Sequence, residues 1–102
     1  MSTANKYSTG RDLSWDDLKA ALGSNLMAIS GGRADRLGKS TISMPVASGY
    51  SVRVTIAGND TFTVERVLTR SGVATVKAIR TDVYVEEVGE ACYRASCYRD
   101  AF

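Results

Sequence analysis

Two cysteines, no histidine and a basic segment bounded by glycines are the parts of this chain that would first suggest chemistry. Cys92 and Cys97 fall five apart in a segment that reads as helix, which sets their Cα atoms about 8 Å apart at the helical rise per residue. A disulfide needs less than about 7 Å, so the pair is read as two reduced thiols, implying a reducing compartment. Without histidine, Cys92 lacks the usual base that would make a thiolate nucleophile, and a mid-helix position gives no help from a helix N-terminus. Cys92 is therefore expected in the core and Cys97 partly exposed. One C-x4-C pair supplies two ligands where structural zinc needs four, so no metal is expected. Gly32-Arg33-Ala34-Asp35-Arg36-Leu37-Gly38-Lys39-Ser40 resembles a phosphate loop in outline only. It holds five residues between its glycines, where the P-loop has four, and the strand-like Ile42-Ser43-Met44-Pro45 follows in place of a helix. The acids Asp12, Asp16, Asp17, Glu86, Glu87 and Glu90 gather at helix starts, where capping and the helix dipole account for them without an acid–base dyad. These readings predict a protein that is not an enzyme and has no cofactor.

Two sets of residues remain as binding candidates. Cys92-Tyr93-Arg94 and Cys97-Tyr98-Arg99 repeat a pattern at a spacing of five. That spacing turns equivalent members about 140° apart on a helix, so one tyrosine should pack beneath it and the other should be exposed. Exposed Tyr and Arg anchor protein interfaces, which makes Tyr93, Arg94, Tyr98 and Arg99 the protein-contact candidates. The second set is basic: Arg33, Arg36 and Lys39 in the 33–39 loop, with Arg53, Lys77 and Arg80 on strands. Arg53 and Lys77 should point away from the core if Val54 and Val76 point into it. Against a single-strand nucleic-acid binder, the aromatics Tyr50 and Phe62 fall on the core face, away from where bases would stack.

The elements that must position these residues fit within one domain. The chain has 102 residues, 44% apolar and 24% charged, with a net charge of +2. This is an ordinary globular composition, able to support one core. Residues 1–10 read as a flexible arm and 11–102 as a single domain. No apolar run is long enough to cross a membrane and no signal peptide is evident, so cytoplasmic residence is expected. Charge is mildly polarised: residues 1–40 and 41–82 are each +2, and 83–102 is −2.

Ser14 and Asp17 predict a capped helix over 14–22, with Leu13 and Leu18 as a hydrophobic staple and Gly23 closing it in the left-handed region. Residues 25–30 read as a strand, 31–39 as a loop, and 41–46 as a strand placed at a sheet edge by Pro45. Tyr50, Val52, Val54 and Ile56 alternate with polar residues, the clearest half-buried strand. A three-residue turn at 58–60 sets Ile56 opposite Phe62 and Val54 opposite Val64, with Asn59 or Asp60 at positive φ. Beyond Val64 the alternation breaks, so either a bulge resets it or Arg66 points inward and pairs with an acid. Ser71-Gly72 turns the chain into a last strand ending at Arg80. Thr81 or Asp82 then caps a helix over 82–99, with Tyr84, Val88, Ala91, Cys92 and Ala95 as its buried stripe and Gly89 allowing close approach to the sheet. The expected fold is α+β. A small curved antiparallel sheet, built from a three-stranded meander over 50–80 and one or two weaker strands, is packed by the C-terminal helix and the short N-terminal one.

The segment Asn59-Asp60-Thr61-Phe62-Thr63-Val64-Glu65-Arg66-Val67, with Val88-Gly89-Glu90-Ala91-Cys92-Tyr93-Arg94-Ala95-Ser96-Cys97-Tyr98, resembles small uncharacterised accessory proteins of actinobacterial phages. The resemblance carries no catalytic residues. It implies a phage product acting in the host cytoplasm by binding a host protein. The first expectation is thus a non-enzymatic protein-binding module. A nucleic-acid-binding module using the basic set is the alternative, and a homo-oligomer sequestering a small ligand between subunits is the third.

Overall fold

Ser14 opens the first element as its capping chemistry requires. In a computed structural model, which describes residues 12–57 and 61–98, the Ser14 Oγ accepts the Asp17 N–H at 3.3 Å and α1 runs Trp15–Leu22. Leu13 and Leu18, the expected staple, are both buried in the core. The helix stops at Gly23, whose φ of +57° is positive but whose ψ of −137° lies outside the left-handed helical region.

Residues 25–30 are helix, not strand. In α2, Asn25–Ser30, the buried positions are Leu26, Ile29 and Ser30 while Met27 and Ala28 face water, a helical spacing that no strand would give. A short apolar run fits either period; the helix closes at Gly31, left-handed at φ +65°, whose N–H donates to the Met27 carbonyl at 2.9 Å.

The sheet has five strands, all antiparallel, in the order β1-β2-β3-β4-β5. They are β1 Asp35–Gly38, β2 Thr41–Pro45, β3 Tyr50–Ile56, β4 Phe62–Arg70 and β5 Val73–Val83. This corrects the three-stranded meander with weaker additions: the whole sheet is one meander. The expected loop over 31–39 contains β1, whose exposed, mostly polar residues offer no alternation to read. Pro45 does not mark an edge strand, since β2 lies between β1 and β3. It ends β2 beyond Ser43, the last position that β1 reaches, so its missing N–H breaks no bond to β1.

The β3–β4 register is the expected one, Ile56 opposite Phe62 and Val54 opposite Val64. The turn residues Asn59 and Asp60 lie outside the described residues. The helices cover one face of the sheet. Val52, Val54, Val64, Ile42 and Met44 point into this layer and meet Leu18, Leu22, Ile29, Val88 and Cys92. Such one-sided cover is the usual arrangement of an antiparallel meander.

The last helix, α3, spans Val85–Ser96, shorter than 82–99 at both ends. Neither Thr81 nor Asp82 caps it, because β5 continues to Val83. Tyr84 is the N-cap residue: its N–H donates to Glu87 Oε2 at 3.4 Å and its carbonyl accepts the Glu87 N–H at 2.9 Å. Gly89 does permit a close approach, though to α1 and α2 and not to the sheet. A Cβ there would lie 3.1 Å from the Ala21 carbonyl oxygen and 3.0 Å from Asn25 Nδ2.

Candidate protein-contact surface

β5 is the last strand of the sheet, and two irregularities decide where its side chains point. Val76 pairs with Val67 and Ala78 with Arg66, so Lys77 is an extra residue bulged out of the ladder. Val83 pairs with Phe62 and Arg80 with Val64, which leaves a second extra residue at Thr81-Asp82, where Asp82 takes φ +56°. Aspartate tolerates this left-handed value better than most residues. Each bulge resets the phase of the strand. The first puts Val76 and Ile79, three apart, on the same face, the one away from the helices. The second returns Val83 to the core. Val76 therefore does not point inward as expected. Val76 is 40% exposed, Ile79 54% and Val73 64%. The turn before them is the two-residue Ser71-Gly72, with φ +52° and +78°, a conformation whose twist suits a tight hairpin.

Of the two earlier alternatives the structure takes the inward arginine. β4 pairs with β3 without a register shift, so no bulge resets β4, and Arg66 lies opposite Val52 on the helix-covered face while the extra residue falls in β5. At the end of α3, Arg66 Nη1 donates to the Ala95 carbonyl at 3.4 Å, and the guanidinium lies 5.8 Å from the Tyr98 ring centroid. A cation at a helix C-terminus and over an aromatic face is favourable twice.

This arrangement separates the expected contact residues. Tyr98 lies beyond the helix at φ +62°, and its ring meets Tyr50 edge-on with centroids 5.0 Å apart. It helps dock the helix end to the sheet while staying half exposed. Tyr93 is exposed on α3, so neither tyrosine is fully packed beneath the helix. Arg94 pairs with Glu90 one turn earlier, the expected i,i+4 contact. Arg99 lies outside the described residues.

The basic set is not one patch. Arg36 reaches three carbonyls, with Nη2 to Leu13 at 2.6 Å and Nη1 to Lys39 at 3.0 Å and Gly38 at 3.3 Å, and so ties the β1–β2 hairpin to the start of α1. Arg33 Nε donates to the Ser30 carbonyl at 3.2 Å. Arg80 lies on the helix side of β5, bonded to Glu87 at 3.0 Å. Arg53 is on the opposite face, across from Glu65. Lys39 is exposed in the β1–β2 turn and Lys77 at its bulge.

Sequence reasoning missed the apolar residues of β5. Of nine exposed large hydrophobic side chains among the described residues, seven belong to β5, Tyr84 and the segment 85–98; Met27 and Leu37 are the others. The sequence holds only a partial hint, in that Val73, Val76 and Ile79 do not alternate as one buried face would; which face they take depends on the pairing with β4.

Cys92 is fully buried, and desolvation pushes its thiol pKa well above the usual range, so it stays protonated; Cys97 is exposed. Among the described residues no group of three His, Cys, Asp or Glu side chains is placed to hold a metal ion. No helix among them is long and apolar enough to cross a membrane. A cleft of about 640 Å³ runs between α1 and the β3–β4 strand ends, with Leu18, Ala21, Ile56, Phe62 and Val85 in its wall. Its other walls carry Asp12, Ser14 and Asp17, and Ser14 and Asp17 already bond each other as the α1 cap. Comparison with protein-family models, with curated proteins and with solved structures finds no match.

Proposed function

We propose that this chain is a non-enzymatic protein-binding module that makes contact through β5 and the exposed side of α3. The observation that carries this reading is the pair of exposed apolar side chains, Val76 and Ile79, that the bulge at Lys77 brings onto one uncovered face of β5. Scattered exposed hydrophobics are normal, whereas Val76 and Ile79 stand together on the uncovered face of the last strand; Tyr93 lies separately, on the outer side of α3. The resemblance to phage accessory proteins supports the same reading and suggests a bacterial host protein as the partner, met in the host cytoplasm.

A tagged chain incubated with nuclease-treated host lysate tests the proposal. The expected result is a captured protein that survives nuclease and is lost from a Val76→Ser/Ile79→Ser variant whose melting temperature is unchanged. Capture undiminished by that variant and by Tyr93→Ala refutes it. Retention of nucleic acid alone, weakening steeply with salt, would favour the alternative.

A further inference from the structure

We infer that the partner reaches β5 as an extended, acidic segment that adds to the free edge of the strand at residues 73–79. This inference rests on the protein-binding reading above and names the chemistry of the partner.

The first observation is the edge itself. β5 ends the sheet, and none of the backbone groups of residues 73–79 bonds a described residue other than those of β4. An unpaired strand edge is a template for strand addition, in which main-chain bonds supply affinity and alternate side chains supply specificity. Here those side chains are Val76 and Ile79 on one face and Val73 on the other.

The second observation is charge. Residues 66–81 contain four basic side chains and no acid. Two of the four have roles inside the fold, Arg66 at the end of α3 and Arg80 on Glu87. Arg70 and Lys77 are exposed and form no ion pair with a described residue. Arg70 sits opposite Val73, four residues along β5 from Lys77. At the rise of a strand that is about 13 Å, so the two cations match carboxylates four residues apart in an extended partner.

The same charges argue against a second copy of this chain. Two-fold pairing of residues 73–79 about Val76 would set Lys77 opposite the other copy's Thr75 and line the seam with Arg70 and Lys77 of both copies, with no acid in residues 66–81 of either to answer them. The bulge at Lys77 also interrupts any long flat ladder and limits the added strand to a short one.

The test uses a fluorescent twelve-residue peptide of alternating valine and glutamate, measured by anisotropy against the full chain. A valine–lysine peptide and a single-stranded oligothymidine serve as comparisons. Binding of the glutamate peptide, with slowed amide exchange confined to 73–79 and a loss of about tenfold in Arg70→Glu/Lys77→Glu, is the expected result. An unchanged melting temperature shows that the variant remains folded. Equal binding of the lysine peptide, displacement by the oligonucleotide, protection elsewhere, or no effect of the double variant would overturn the inference. If lysate capture still depends on Val76 and Ile79 while the glutamate peptide fails to bind, the protein-binding reading stands and only the acidic strand is lost.

Discussion

Replacing Gly89 with alanine sets two effects of similar size against each other. Within a helix the change gains about 1 kcal/mol from backbone propensity alone. At this position, however, the new methyl would lie 3.1 Å from the Ala21 carbonyl oxygen, 3.3 Å from that of Leu22 and 3.0 Å from Asn25 Nδ2. The amide of Asn25 can rotate away, but the two carbonyls belong to the end of α1. Moving them means moving a helix whose Leu18 and Leu22 are locked in the core. Overpacking of this kind costs about 1–3 kcal/mol. The expected net loss is therefore about 1 kcal/mol, a drop of about 4–8 °C in melting temperature for a domain of this size. Urea unfolding should show a lower midpoint with an unchanged slope, because the exposed surface is the same. The loss should persist in an Asn25→Ala background, where the carbonyls remain. A Gly89→Ala chain more stable than the wild type would refute the argument, showing that α1 yields at negligible cost.

Arg66→Ala removes a charge-assisted bond, a helix-end cation and an aromatic contact together, with an expected loss of about 2–4 kcal/mol in chemical denaturation. A change within about 0.5 kcal/mol would show those contacts to be idle. Asp82→Gly should be tolerated, while Asp82→Val, a β-branched residue forced to φ +56°, should lose stability in a thermal melt. Equal melting of the two variants would mean that the bulge relaxes freely. For Cys92, burial raises the folded thiol pKa above its unfolded value. Its contribution to stability is therefore full below about pH 8.5 and falls by about 1.4 kcal/mol per pH unit above it. The difference between wild type and Cys92→Ala across that range isolates the effect, and no difference in slope would contradict the burial.

Local chemistry settled much of this fold before any coordinates. The Ser14 cap, the Leu13–Leu18 staple, the alternation from Tyr50 to Ile56, the Ile56–Phe62 register and the separate fates of Cys92 and Cys97 follow from neighbours close in sequence or from a single period. What depended on tertiary structure lay where local signals were silent or balanced. Asn25–Ser30 became helix because its buried stripe faces α3, and β1 exists only because β2 supplies its ladder. β5 ran on through Asp82 because β4 offered partners as far as Phe62. The candidate surface belongs to this second group. Val76 and Ile79 share a face only because Arg66 and Val67 across the ladder leave Lys77 unmatched, and pairing between distant segments cannot be read from one strand alone.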